Sequence, residues 1–133
     1  SRGVNTMART RRVLTVEMLR KAEACDGQTE RFIAEFGDKV VVTKKLCLIH
    51  ADKFSWWWAA ASFIGDEGYG KFSQIANKAD VVYYARKDEI YKNNTGNLYT
   101  QLAENDLLRF RALAEAFADG YINHPDPKYI RSK

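Results

Sequence analysis

The sequence predicts an all-α fold, a single-domain helical bundle with several short N-terminal helices and two longer C-terminal helices. Three observations lead there. Apolar residues recur at three- and four-residue spacing along 71–90 and 98–121, the period of an α-helix. Cap and stop residues such as Thr15, Thr43, Gly37 and Gly120 punctuate the chain at helix-length intervals. No region of the chain is strand-rich.

Each element follows from local chemistry. Thr15 is placed to cap a helix from Val16 to about Ala24, with Glu17 in its first turn facing the dipole. Asp26 is read as the cap of a second helix, Gly27 to Phe36, whose apolar stripe is Phe32, Ile33 and Phe36 and whose stop is Gly37. Val40-Val41-Val42 reads as a connector, since no pairing partner is evident. Thr43 caps a turn of helix from Lys44 to Ala51 with Leu46, Cys47, Leu48 and Ile49 on its apolar side.

The next helix begins at Asp52 or Ser55, closes at Gly65, and carries all three tryptophans, Trp56, Trp57 and Trp58. Adjacent helical residues lie about 100° apart, so three indoles fan over about 200°. Either this helix is buried nearly all round, or one ring, here expected to be Trp57, faces a partner. Residues 65–70 hold three glycines and are expected to break the chain. A long helix then starts at Lys71, with Phe72, Ile75, Ala76, Ala79, Val82, Tyr83, Arg86 and Ile90 as its stripe. Residues 93–96 make a turn. The last helix, Leu98 to Asp119, buries Leu102, Ala103, Leu107, Phe110, Leu113, Ala114, Phe117 and Tyr121, and is expected to end at Gly120. The two long helices should pack antiparallel across that turn.

Leu19-Arg20, Ala24-Cys25, Gln28, Phe32, Phe36-Gly37-Asp38 and Trp58-Ala59-Ala60 together resemble a short helical segment that recurs in small phage and bacterial proteins of unknown function. The resemblance covers about residues 14–61 and rests on apolar anchors and caps. It implies a prokaryotic or phage origin and carries over no catalytic residue.

Charge is informative once it is located. The net +4 resides entirely in residues 1–12, through Arg2, Arg9, Arg11 and Arg12, while the remaining chain balances 17 bases against 17 acids. The chain divides into a basic N-terminal tail (1–12), a helical domain (13–123) and a C-terminal tail (124–133). Ser1 to Thr6 reads as a leader ahead of Met7-Ala8-Arg9, the expected native start. The longest apolar run, Trp56 to Ala61, falls far short of the ~18 residues of a membrane span, so a cytoplasmic protein is expected, in the host cytoplasm if phage-encoded. Cys25 and Cys47 are expected to be reduced, mostly buried thiols.

Candidate chemistry yields to simpler readings. Gly65-Asp66-Glu67-Gly68-Tyr69-Gly70-Lys71 meets seven positions of a phosphate-binding loop. It then places Phe72 where a magnesium-holding hydroxyl is needed, and two carboxylates where an anion would sit. Cys47 and His50 share a helix face, but a zinc site needs two further ligands. Asp88 and Glu89 beside Arg86 and Lys87, and Glu104 and Asp106 beside Arg109 and Arg111, read as solvated helix pairs. No catalytic residue, metal or cofactor is assigned.

What remains is binding. The expectation is a small non-enzymatic protein that engages a protein partner, such as a phage-encoded inhibitor of a host system. Its contact residues would be drawn from Trp56, Trp57, Trp58, Tyr84 and Tyr91, because interfaces are enriched in Trp, Tyr and Arg. Self-pairing as a homodimer is the natural alternative to a foreign partner. The competing reading is a nucleic-acid module using Arg9, Arg11, Arg12, Arg86 and Lys87. The balanced charge of the body favours the protein partner.

Overall fold

Thr15 ends one element and begins another. In the computed structural model, which describes residues 12–93 and 96–129, β1 (Val13–Thr15) runs into α1 (Val16–Lys21). The Thr15 hydroxyl accepts from the Met18 amide at 3.1 Å, as its capping chemistry requires. α1 stops earlier than expected, with Glu23 in a left-handed conformation at φ 63°. α2 (Asp26–Phe36) takes Cys25 rather than Asp26 as its cap residue, which leaves Asp26 in the first turn. Gly37, at φ 78°, then gives its amide to the Ile33 carbonyl, a conformation that glycine adopts at least cost.

The valine segment is a strand rather than a connector. β2 (Lys39–Val41) pairs antiparallel with β1 in the register Val13↔Val41, Leu14↔Val40 and Thr15↔Lys39. Each strand has three residues, too few to display alternation, and the partner lies in a segment that reads only as the approach to a cap. α3 (Lys44–Ile49) follows, with Thr43 accepting from the Leu46 amide. Then come α4 (Trp56–Phe63), α5 (Asp66–Asn93), α6 (Leu98–Asn123) and a final 3-10 turn at Pro127–Tyr129. The described residues form the helical bundle that the sequence predicts, with two long C-terminal helices and one small two-stranded sheet.

Two glycines do the opposite of what they signal. α5 begins at Asp66 and runs unbroken through Gly68 and Gly70, and α6 continues past Gly120 to Asn123. Both Gly68 and Gly120 are buried against Ile64. A methyl group on Gly68 would lie 2.5 Å from His124 Cβ and 2.6 Å from Ile64 Cγ2, and one on Gly120 would lie 2.6 Å from Ile64 Cδ1. These positions lack side chains because Ile64 and His124 occupy the space. The same junction is closed by backbone. The Gly65 amide donates to the His124 carbonyl at 2.7 Å, the Asp126 amide donates to the Phe63 carbonyl at 2.8 Å, and Ile64 bridges to Pro125.

α6 packs against α3, α4 and α5, and the core lies between them, around Phe63, Phe72 and Phe117. The tryptophans resolve their angular problem by dividing the surroundings. Trp56 is buried and donates its indole N–H to the Ala51 carbonyl at 2.8 Å. Trp57 and Trp58 are half-buried, edge-on to Phe72 and Phe63 respectively.

Candidate interaction surface

Two helices side by side can bury only one stripe each, and α5 and α6 are both longer than the body they pack on needs. Their distal halves are held together by a polar knot. Arg109 Nε donates to Asp80 at 2.8 Å, and its guanidinium lies over the Tyr83 ring, 4.9 Å from the centroid. The Tyr83 hydroxyl donates to Asp106 at 2.7 Å, which raises the phenol's pKa, and the buried Asn105 amide donates to the Tyr83 carbonyl at 3.0 Å. Every one of these contacts stays within the hairpin.

The cost of this arrangement is apolar surface left in water. Among the described residues twelve large hydrophobic side chains are exposed, and eight of them stand on α5 and α6. Ile75, Val82 and Leu108 stand on one flank, and Tyr84 and Tyr91 on the other. On one flank a groove runs between the helices, formed by Ile75, Ala79 and Val82 of α5 with Leu108 and Ala112 of α6. It continues toward the tip past Arg86, Glu89, Ile90 and Glu104. Val82 and Leu108 are each 50% exposed. Two positions from Val82 is about 200° around a helix, so Tyr84, and Tyr91 two turns further on, occupy the other flank. Both tyrosines are exposed.

The structure therefore separates the expected contact residues. Tyr84 and Tyr91 share a flank, whereas Trp56, Trp57 and Trp58 belong to the body's aromatic packing. Of the basic set, Arg9 and Arg11 lie outside the described residues. Arg12 is half-buried beside β1, where its carbonyl accepts the Val42 amide. Arg86 is exposed in the groove, and Lys87 stands over the Tyr83 ring at 5.5 Å. Arg12 neighbours Tyr121 while Arg86 is level with Asn105, and α6 rises about 24 Å between those two positions. The two arginines do not form one patch.

Sequence spacing puts Ile75 and Val82 in the buried stripe of α5 and Leu107 on the buried side of α6, yet all three are exposed, and it assigns Leu108 to neither side. Arg86 in that same stripe was the available sign that one edge of it is solvated.

Cys47 and His50 both line the narrow space beside Phe32 and Trp56. Cys47 is buried and its thiol is pushed up to about 12 by burial. His50 Nδ1 donates to the Leu46 carbonyl at 3.0 Å, and Nε2 lies 3.2 Å from Glu35, so both ring nitrogens are engaged. Cys25 and Cys47 are free thiols, and Cys25, against expectation, is exposed at the start of α2 rather than buried. Among the described residues no group of three or more His, Cys, Asp or Glu is placed to hold a metal ion, and no helix is long and apolar enough to cross a membrane. The space among Phe32, Phe36, Trp56 and Trp58 measures about 50 Å³, well under the ~300 Å³ at which small-molecule sites begin. No family model, no curated protein and no solved structure matches this chain.

Proposed function

We propose that this chain is a non-enzymatic binding protein that takes a protein partner on the α5–α6 hairpin. One observation carries the reading: exposed apolar side chains are concentrated on the hairpin, while the remainder of the body exposes few. A contiguous apolar surface rimmed by polar groups is what partner sites look like. The charge pattern favours a protein over a nucleic acid. Glu89 and Glu104 line the same groove as Arg86, so a phosphate backbone laid there would meet carboxylates as often as cations. In a phage setting, which the resemblance over residues 14–61 implies, such a protein would act as an inhibitor by covering a host surface.

The test is capture from a bacterial lysate by the immobilised full chain and by its Val82→Glu and Leu108→Glu variants. A protein partner retained by the parent chain and lost by both variants is the expected result. Retention by the variants, or recovery of salt-sensitive nucleic acid instead, counts against the reading.

A further inference from the structure

Resting on that reading of the hairpin, we propose that the occupant of its groove is a second copy of this chain, laid antiparallel so that Lys78 of each copy meets Glu89 of the other. The argument starts from the order of charges along the groove. Lys78 stands at the end near the body, while Glu89 and Glu104 stand toward the tip. Among the described residues Lys78, Arg86, Glu89 and Glu104 have no ion-pair partner within the chain. A groove that is positive at one end and negative at the other is complementary to itself only when turned end for end. Two copies lying parallel would set Lys78 against Lys78 and Glu89 against Glu89, and like charges so placed oppose association.

The register follows from helix geometry. Lys78 and Glu89 are about 16 Å apart along α5. A two-fold axis that pairs them across copies falls midway, between Val82 and Arg86. The half-exposed Val82 and Leu108 then face their own equivalents at the axis, the isologous contact that closed dimers use. The groove extends about 27 Å from Ile75 to Asn93 and is about 20 Å wide across two helices. Covering it removes about 500 Å² per copy, near the lower end of what specific interfaces bury, the size class of weak and transient associations.

The full chain is examined by analytical ultracentrifugation from about 1 to about 200 µM, a span that brackets such an affinity. It is compared with Lys78→Glu, Glu89→Lys and an equimolar mixture of the two variants, with circular dichroism confirming that each is folded. In the antiparallel pairing either single reversal sets two like-charged pairs across the axis, whereas the mixture restores two opposite-charged pairs. The expected result is a concentration-dependent dimer for the parent chain, a loss of about 10-fold or more in affinity for each variant alone, and recovery in the mixture. A parent chain that stays monomeric throughout overturns the proposal, as does a dimer indifferent to both reversals. The lysate experiment separates the two failures. A monomer whose captured protein is lost on Val82→Glu overturns the second copy alone, and a monomer that captures nothing overturns the binding reading with it.

Discussion

Tyr121 donates its hydroxyl proton to the carbonyl of Val13 at 2.9 Å, joining the last long helix to the first strand across 108 positions. Its ring is buried and stacks on Phe117, with centroids 5.7 Å apart. Tyr121→Phe keeps the stack and removes the bond, leaving the part-buried Val13 carbonyl short of a donor. The variant should be about 1 kcal/mol less stable in urea. Hydrogen exchange should accelerate at the Val42 amide, which closes the ribbon onto Arg12. Unchanged stability and exchange would mean that water replaces the hydroxyl.

Alkaline pH should unfold the protein before it ionises the native core. Burial pushes the Cys47 thiol from its ordinary 9.0 to about 12, and the Tyr121 phenol from 10.0 to about 12. Both groups stay protonated in the folded state at a pH where the unfolded chain releases its protons. Their stabilisation is complete below pH 9.0 and declines from there towards about 12 as the unfolded state is favoured. Cys47→Val, close in volume, removes the earlier of the two titrations. Its stability should begin to fall nearer pH 10.0, the ordinary value of the Tyr121 and Tyr83 phenols, both of which the fold raises. Urea midpoints measured at half-unit steps of pH decide this.

Ile64 sits between two glycines that have no room for a methyl group. Gly120→Ala should cost about 1–3 kcal/mol by overpacking, less up to about 1 kcal/mol returned by alanine's helix propensity. Ile64→Val removes the Cδ1 that Gly120 meets and keeps the Cγ2 that Gly68 meets. A double-mutant cycle should therefore show Ile64→Val relieving Gly120→Ala while leaving Gly68→Ala fully destabilising, because His124 Cβ cannot move aside. Equal relief at both positions would refute this geometry.

Within the hairpin, Arg109→Ala strips Asp80 of its partner and uncovers the Tyr83 ring. Both members of that ion pair are about a quarter exposed, at 26% each, so the loss should be about 1 kcal/mol or less. It should appear as faster exchange around residues 80–109, with the global unfolding midpoint little changed. A drop in the global midpoint, with the transition still cooperative, would instead show that the hairpin and body unfold as one unit.

The sequence disclosed the helices and concealed how they meet. Thr15 and Thr43 announced their caps because N-cap hydrogen bonds are local, formed within three residues. β1 and β2 escaped because their pairing spans more than twenty residues and each strand is too short for a periodic signal. Gly68 and Gly120 misled for a related reason. The residue that forbids a side chain there, Ile64, is a neighbour in space, and glycine near a helix end signals a stop and a close contact alike. At the candidate surface, Tyr84 and Tyr91 were legible as exposed aromatics. The groove was not, because Ile75 and Val82 have the same spacing as Phe72 and Tyr83, and only the width of the apolar stripe distinguishes a buried edge from an open one.

The Ile64 junction also determines how force would pass through the molecule. α5 departs from it and α6 returns to it, and both are pinned there by backbone hydrogen bonds and by methyl groups seated on bare helix. A helix of 28 residues is a lever about 42 Å long. With no swivel at its root, a partner gripping the tip does not bend the hairpin independently. It turns the body with it, and the strain gathers on one isoleucine.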